Sequence, residues 1–180
     1  MCKKHGLDYH LYADDSQIYI AFSPHAGSDL RTVICRIEAC VADIKKWMVE
    51  NRLMLNDDKT EVMIITTKQQ WKKLNCPDVQ IGEHTISPAK KVRNLGVAFD
   101  ATLSRADHIN QVVRSTNLQL RNIGQIRKYL NTKATQTLIH SLIFTRLDYC
   151  NTLYYGLPMS LLNKLQRVQN SAARLLTGTK

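Results

Sequence analysis

From Leu7 to Phe22 the chain reads LDYHLYADDSQIYIAF, with aromatic and β-branched residues on either side of an acidic pair. That pattern predicts two short strands joined by a tight turn at Ala13-Asp14-Asp15, a β-hairpin. The period then changes. Leu30, Val33, Ile34, Ile37, Val41, Ile44 and Met48 recur at three- and four-residue steps and predict a helix to about Asn51, with Ser28 and Asp29 as candidate caps. Next, Asn56-Asp57-Asp58 offers a turn, and Val62, Met63, Ile64 and Ile65 a strand. Residues 67–77 are polar and basic and read as an exposed connection. Val79-Ile81 and Thr85-Ile86 flank a turn at Gly82-Glu83, a second hairpin, and KVRNLGVAFD adds one more strand.

Beyond Asp100 the pattern becomes helical. Helices are predicted over Ser104 to Leu130, Thr132 to about Tyr154 and Pro158 to about Leu176, broken at Asn131 and at Gly156-Leu157-Pro158. Ser104 with Asp107 three residues on resembles a capping box with Asp in the Glu place. The fold class is therefore α+β followed by an all-α region, with domains at 1–100 and 101–180. Repeats and low-complexity segments are absent.

The 180 residues carry 25 Lys and Arg against 15 Asp and Glu, a formal charge of +10 that favours a polyanionic partner. The excess is uneven. Residues 1–63 hold eight bases and ten acids, whereas residues 101–180 hold eleven bases against Asp107 and Asp148 alone. The five cysteines (Cys2, Cys35, Cys40, Cys76, Cys150) are an odd set without CxxC spacing, which argues against a cysteine-pair zinc site and a complete disulfide framework. Cys35 and Cys40 read as core or boundary residues of the first helix. The six histidines show no pair at metal-ligand helical spacing, and neither a Gly-rich phosphate loop nor a Ser-His-Asp set is present. Apolar runs stay short of the roughly 18 residues a membrane span needs. An intracellular protein of cytoplasm and nucleus, without stable membrane association, is expected.

Adjacent carboxylates such as Asp14 and Asp15 repel unless a cation or solvent intervenes, so the turn is a candidate metal site. Hard divalent ions take one or two protein carboxylates and leave the remaining positions to water and phosphate. Asp-Asp is equally at home in an exposed turn, where it solvates well.

Tyr12-Ala13-Asp14-Asp15 within HLYADDSQIYI resembles the YADD-type hairpin of reverse transcriptases. In order, WMVENRLMLNDDKTEVMII, NLGVAFDATLS with His108-Ile109, TRLDYCNTLYYGLP and LQRVQNSAARLLTG resemble the rest of the palm and the thumb of LINE-type non-LTR retrotransposon reverse transcriptases. The resemblance implies a partial palm followed by a helical thumb. It implies that Asp14, Asp15 and Lys59 are catalytic: Asp14 ligates metal and Asp15 helps bind or orient the two Mg²⁺ ions, or Mn²⁺ in their place, Tyr12 lies beside the primer end, and Lys59 lies near the triphosphate as a general acid toward the departing pyrophosphate. Lys59 can equally be a lysine starting a strand beside Asp57 and Asp58. Leu95-Gly96-Val97 matches the primer-grip strand, where Gly96 would admit nucleic acid close to the backbone or else mark a bulge.

The family's two-metal site takes a further aspartate from a palm strand well upstream of the YADD hairpin, and the thirteen residues before Asp14 do not form such a strand. The expectation is a fragment of an RNA-directed DNA polymerase, acting on deoxynucleoside triphosphates only in the complete enzyme and inactive alone. A non-catalytic remnant that binds nucleic acid is the alternative. In either case the partner is an RNA template and DNA primer duplex. Arg114, Arg121 and Lys128 are seven residues apart and share one helix face, with Arg127 widening the stripe. Arg167 and Arg174 repeat the step on the last helix. A charge run is often only a solvated face, but so many bases with two acids suit a surface that holds a duplex by its phosphates without reading bases.

Overall fold

A computed structural model describes residues 1–23, 30–72 and 77–179. The expected caps Ser28 and Asp29, together with His25, Cys76 and part of the 67–77 connection, lie outside the described residues. The chain divides into two compact units, Met1–Lys90 and Lys91–Lys180. The architecture is mixed α+β, and its described strands pair only as three separate two-stranded antiparallel hairpins.

The first unit opens with a 3-10 turn, Cys2–His5, ended by Gly6 at φ 65°. Strands β1 (Asp8–Tyr12) and β2 (Asp15–Tyr19) follow, paired from Asp8↔Tyr19 to Tyr12↔Asp15. The expected hairpin is therefore present, with a two-residue loop of Ala13 and Asp14. Helix α1 (Leu30–Glu50) buries Val33, Ile34, Cys40 and Val41, in keeping with its three- and four-residue apolar steps. Cys35 departs from its core or boundary reading and is exposed. A 3-10 turn spans Asp57–Lys59, and α2 (Lys68–Trp71) is one short turn capped by Thr67.

Strands β3 (Val79–Ile81) and β4 (His84–Ile86) form the second expected hairpin. Ile34 and Val41 of α1 pack against Val79 and Ile81, with Ile18, Leu55, Val62 and Ile86 around them. Burying each such side chain contributes about 1.5–3 kcal/mol. The strand expected at Val62–Ile65 does not form. Val62 accepts one backbone hydrogen bond, from Ala89 N–H at 2.7 Å, but the segment joins no ladder because β3 and β4 pair with each other.

In the second unit the single strand expected from KVRNLGVAFD is instead a hairpin, β5 (Lys91–Asn94) and β6 (Val97–Asp100). Its two loop residues, Leu95 and Gly96, have φ of 45° and 79°, the left-handed pair that a tight hairpin twist selects. Four helical stretches follow: α3 (Ala106–Ile126), α4 (Thr132–Ile139), α5 (Thr145–Asp148) and α6 (Met159–Thr177). A π-turn, His140–Phe144, joins α4 to α5. Asn131 caps α4 by accepting from Ala134 N–H at 2.8 Å. The middle helix stops at Asp148, about six residues short of the expected end, where Cys150 turns left-handed at φ 54°. Ile109, Leu120 and Ile123 of α3 meet Ile139, Ile143, Leu147, Leu165, Val168 and Ala172 in one apolar core.

The capping box expected of Ser104 and Asp107 is not made. Asp100, at the end of β6, takes that work. Its two carboxylate oxygens accept from Thr102 N–H (3.0 Å) and Oγ1 (2.6 Å), Ser104 N–H (3.0 Å) and Oγ (3.0 Å), and Arg105 N–H (2.9 Å). These bonds hold Leu103 and Arg105 at φ 50° and 57°, a region that costs an L residue about 1–2 kcal/mol. They also tie β6 directly to the start of α3.

Burial alone would push the Asp100 pKa up, but the hydrogen bonds from Thr102 and Ser104 outweigh it and lower the value to about 2. A carboxyl depressed on folding stabilises fully above its unfolded value near 3.9 and loses that contribution as pH falls toward the folded one. Acid titration followed by circular dichroism should therefore show Asp100 losing its stabilising contribution between about pH 4 and 2. Asp100→Ala should cost roughly 3 kcal/mol in urea unfolding at neutral pH, and its acid transition should lack that component.

Candidate nucleic-acid interface and carboxylate turn

Asp14 occupies the second position of the β1–β2 loop, and Asp15 begins β2 opposite Tyr12. Both aspartates are exposed, and Tyr12 beside them is 60% exposed. Ala13, at φ 52°, makes the two-residue turn that sets Asp14 and Asp15 at the end of the hairpin. Among the described residues neither carboxylate has a side-chain hydrogen bond or an ion pair, and no group of three or more His, Cys, Asp or Glu side chains could hold a metal. The donor set suits one hard cation held by one or two carboxylates with water and phosphate. It does not suit a pair of ions.

Lys59 does not start a strand. It ends the 3-10 turn Asp57–Lys59 with an exposed side chain. Asp57, two residues earlier, has a structural role instead: its Oδ2 takes Lys45 Nζ at 2.7 Å and lies 3.4 Å from His84 Nδ1. This joins α1, the 3-10 turn and the β3–β4 hairpin. The expected primer-grip residues Leu95 and Gly96 form the β5–β6 loop rather than a strand. The close approach at Gly96 is internal, since a Cβ there would sit 3.3 Å from the Tyr149 ring. Tyr149 donates its hydroxyl to the Leu95 carbonyl at 2.6 Å, which fixes the loop.

In the second unit Arg114 and Arg121 are exposed on the side of α3 away from its buried face, and Arg167 and Arg174 are likewise exposed on α6. α3 and α6 pack against each other. None of these four arginines forms an ion pair among the described residues; the pair in this unit is Lys91 with Asp107, at 2.8 Å. A groove of about 290 Å³ between the two helices is lined by Asn117, Lys164, Arg167 and Ser171 over Val113 and Val168. Lys164 donates to Asn110 Oδ1 at 2.6 Å across it.

Arg127 does not belong with them. Its Nε and Nη2 donate to the carbonyls of Leu175 (3.1 Å) and Leu176 (3.3 Å), and its Nη1 to Leu130 (3.0 Å). The guanidinium thus caps the C-terminal end of α6, where free carbonyls and the helix dipole both favour a cation. Lys128 Nζ lies 4.8 Å from the Tyr129 ring centroid, an exposed cation–π contact.

Sequence reasoning missed two buried groups. Asp100 carries a legible signal, an Asp two residues before Thr and four before Ser, the spacing of a side chain that caps its own following turn. His108 carries none. It is 5% exposed, its Nδ1 accepts from Ala98 N–H at 3.4 Å, and burial, then the Arg93 charge, lowers its pKa. Among the described residues no helix is long and apolar enough to cross a membrane. In comparisons with known proteins, no family model, curated protein or solved structure matches the chain.

Arg127→Ala should leave carbonyls at the end of α6 without their donor and lower unfolding stability by roughly 1–3 kcal/mol. Arg121→Ala, on the exposed face, should change it by no more than about 0.5 kcal/mol. Urea unfolding of the two variants separates the roles.

Proposed function

We propose that the chain is a palm and thumb segment of a LINE-type reverse transcriptase that grips an RNA–DNA duplex through its helical unit. The observation that carries the reading is the exposed set Arg114, Arg121, Arg167 and Arg174 on two packed helices, without acidic partners among the described residues. A solvated face gains nothing from leaving so many cations unpaired, whereas a phosphate backbone does. The resemblance of the YADD hairpin and of the segments that follow it to that family adds the chemistry.

In this reading Asp14 and Asp15 hold one Mg²⁺, or Mn²⁺, and the ion supplies charge stabilisation to transferring phosphate when bound. Tyr12, exposed beside the pair, is placed to meet a primer end. Two neighbouring carboxylates fall short of a two-ion site, so template-directed transfer requires another carboxylate beyond those the turn offers. The chain by itself therefore binds duplex without extending it. The alternative of a remnant kept for binding alone makes the same use of the arginines and none of the carboxylates.

Fluorescence anisotropy with an RNA–DNA hybrid should show affinity falling with salt at a log–log slope of about −4 if four phosphates are engaged. Arg114→Ala or Arg167→Ala should each weaken binding regardless of sequence and reduce the slope by about 1. Salt-independent binding would remove the proposal. Asp14→Asn should leave duplex affinity in EDTA unchanged or slightly higher. Templated extension by the purified chain that is lost in this variant would show that the turn suffices for catalysis.

A further inference from the structure

Arg36, Cys40 and Asp43 lie at positions i, i+4 and i+7 of α1 and form one stripe. That stripe clasps the 3-10 turn Cys2–His5. Arg36 donates through Nε (3.0 Å) and Nη2 (2.7 Å) to the His5 carbonyl and through Nη2 to the Gly6 carbonyl (3.0 Å). Asp43 Oδ2 pairs with His5 Nε2 at 2.8 Å and with Lys4 Nζ at 3.1 Å. Between these two anchors Cys40 sits on the same stripe, facing the turn that Cys2 opens, and Cys2 is near enough to perturb its thiol. Cys40 is fully buried and Cys2 half-buried. A turn fixed on both sides by other contacts thus brings two free thiols together from residues 38 positions apart in the chain.

We propose that Cys2 and Cys40 are a dithiol site that closes to an intramolecular disulfide, tying the arm that leads into β1, and so the base of the Asp14–Asp15 hairpin, to α1. The oxidant is a low-molecular-weight disulfide such as glutathione disulfide. The more accessible Cys2 thiolate attacks it, forming a mixed disulfide and releasing one glutathione. Cys40 then gives its proton to solvent and attacks the Cys2 sulfur, forming the Cys2–Cys40 bond and releasing the second glutathione. Two electrons pass from the cysteine pair to glutathione disulfide, and the reverse exchange with excess reduced thiol reopens the site.

Burial, then the neighbouring Cys2 side chain, pushes the Cys40 thiol up to about 11. The closing step is therefore slow at neutral pH and should accelerate nearly tenfold per pH unit between about pH 7 and 9, because the thiolate is the nucleophile. The exposed Cys35 stands outside this chemistry as an internal control.

The test incubates the purified full chain with glutathione disulfide, blocks the remaining thiols by alkylation and maps peptides by mass spectrometry. The expected result is a Cys2–Cys40 linked peptide and the loss of two of the five thiols. The oxidised chain should have a midpoint of thermal unfolding raised by roughly 5–15 °C, reversed by dithiothreitol. Cys35→Ser should retain the link and the thermal shift, and Cys2→Ser should lose both. Cys2 stopping as its glutathione adduct with Cys40 still alkylated after denaturation, or oxidation yielding only intermolecular dimers, would overturn the proposal.

Discussion

A carboxylate removed from water must be matched by donors, and Asp100 meets that demand with five of them drawn from Thr102, Ser104 and Arg105. The second unit depends on this arrangement. It ends β6, holds the left-handed residues Leu103 and Arg105 against their steric cost, and starts α3 without a side-chain cap of its own. Because α3 then supplies Ile109, Leu120 and Ile123 to the core, its angle of entry sets where α4 and α6 can pack.

The same economy of donors decides which cations are free to act. Arg127 lies in a basic stretch with the other arginines, yet the end of α6 reaches it and takes its guanidinium on two carbonyls, with Leu130 supplying a third. Tyr149 similarly spends its hydroxyl on the Leu95 carbonyl. Arg114, Arg121, Arg167 and Arg174 stay exposed and without an ion pair among the described residues, and their seven-residue spacing keeps each pair on the outer face of its helix. Fewer cations are available than the charge count implies.

The hairpins follow a different logic. Tight two-residue loops at Ala13-Asp14, Gly82-Glu83 and Leu95-Gly96 let neighbouring segments pair with each other first. Val62–Ile65, rich in strand-forming residues, then has no edge bound to it and keeps one backbone contact to Ala89. The β1–β2 hairpin leaves Tyr9, Leu11, Tyr12 and Tyr19 roughly half exposed or more, and among the described residues its carboxylates have no neighbours that could complete a two-ion site.

Local pattern by itself determined the α+β order, the acidic hairpin, the amphipathic faces of α1, α3 and α6, and the helix break at Asn131, because each rests on residues within a few positions of one another. It misread the second hairpin strand hidden in KVRNLGVAFD, since Leu95-Gly96 as a turn and as a strand bulge look alike until Tyr149 is seen to hold the loop. It could not assign Asp57 to Lys45 and His84, Arg127 to the end of α6, or the Cys2–His5 turn to Arg36 and Asp43. Those pairings were decided by tertiary structure alone. Periodicity tells which side chains share a face, but the carbonyl, carboxylate or thiol that meets that face arrives from a distant part of the chain through packing.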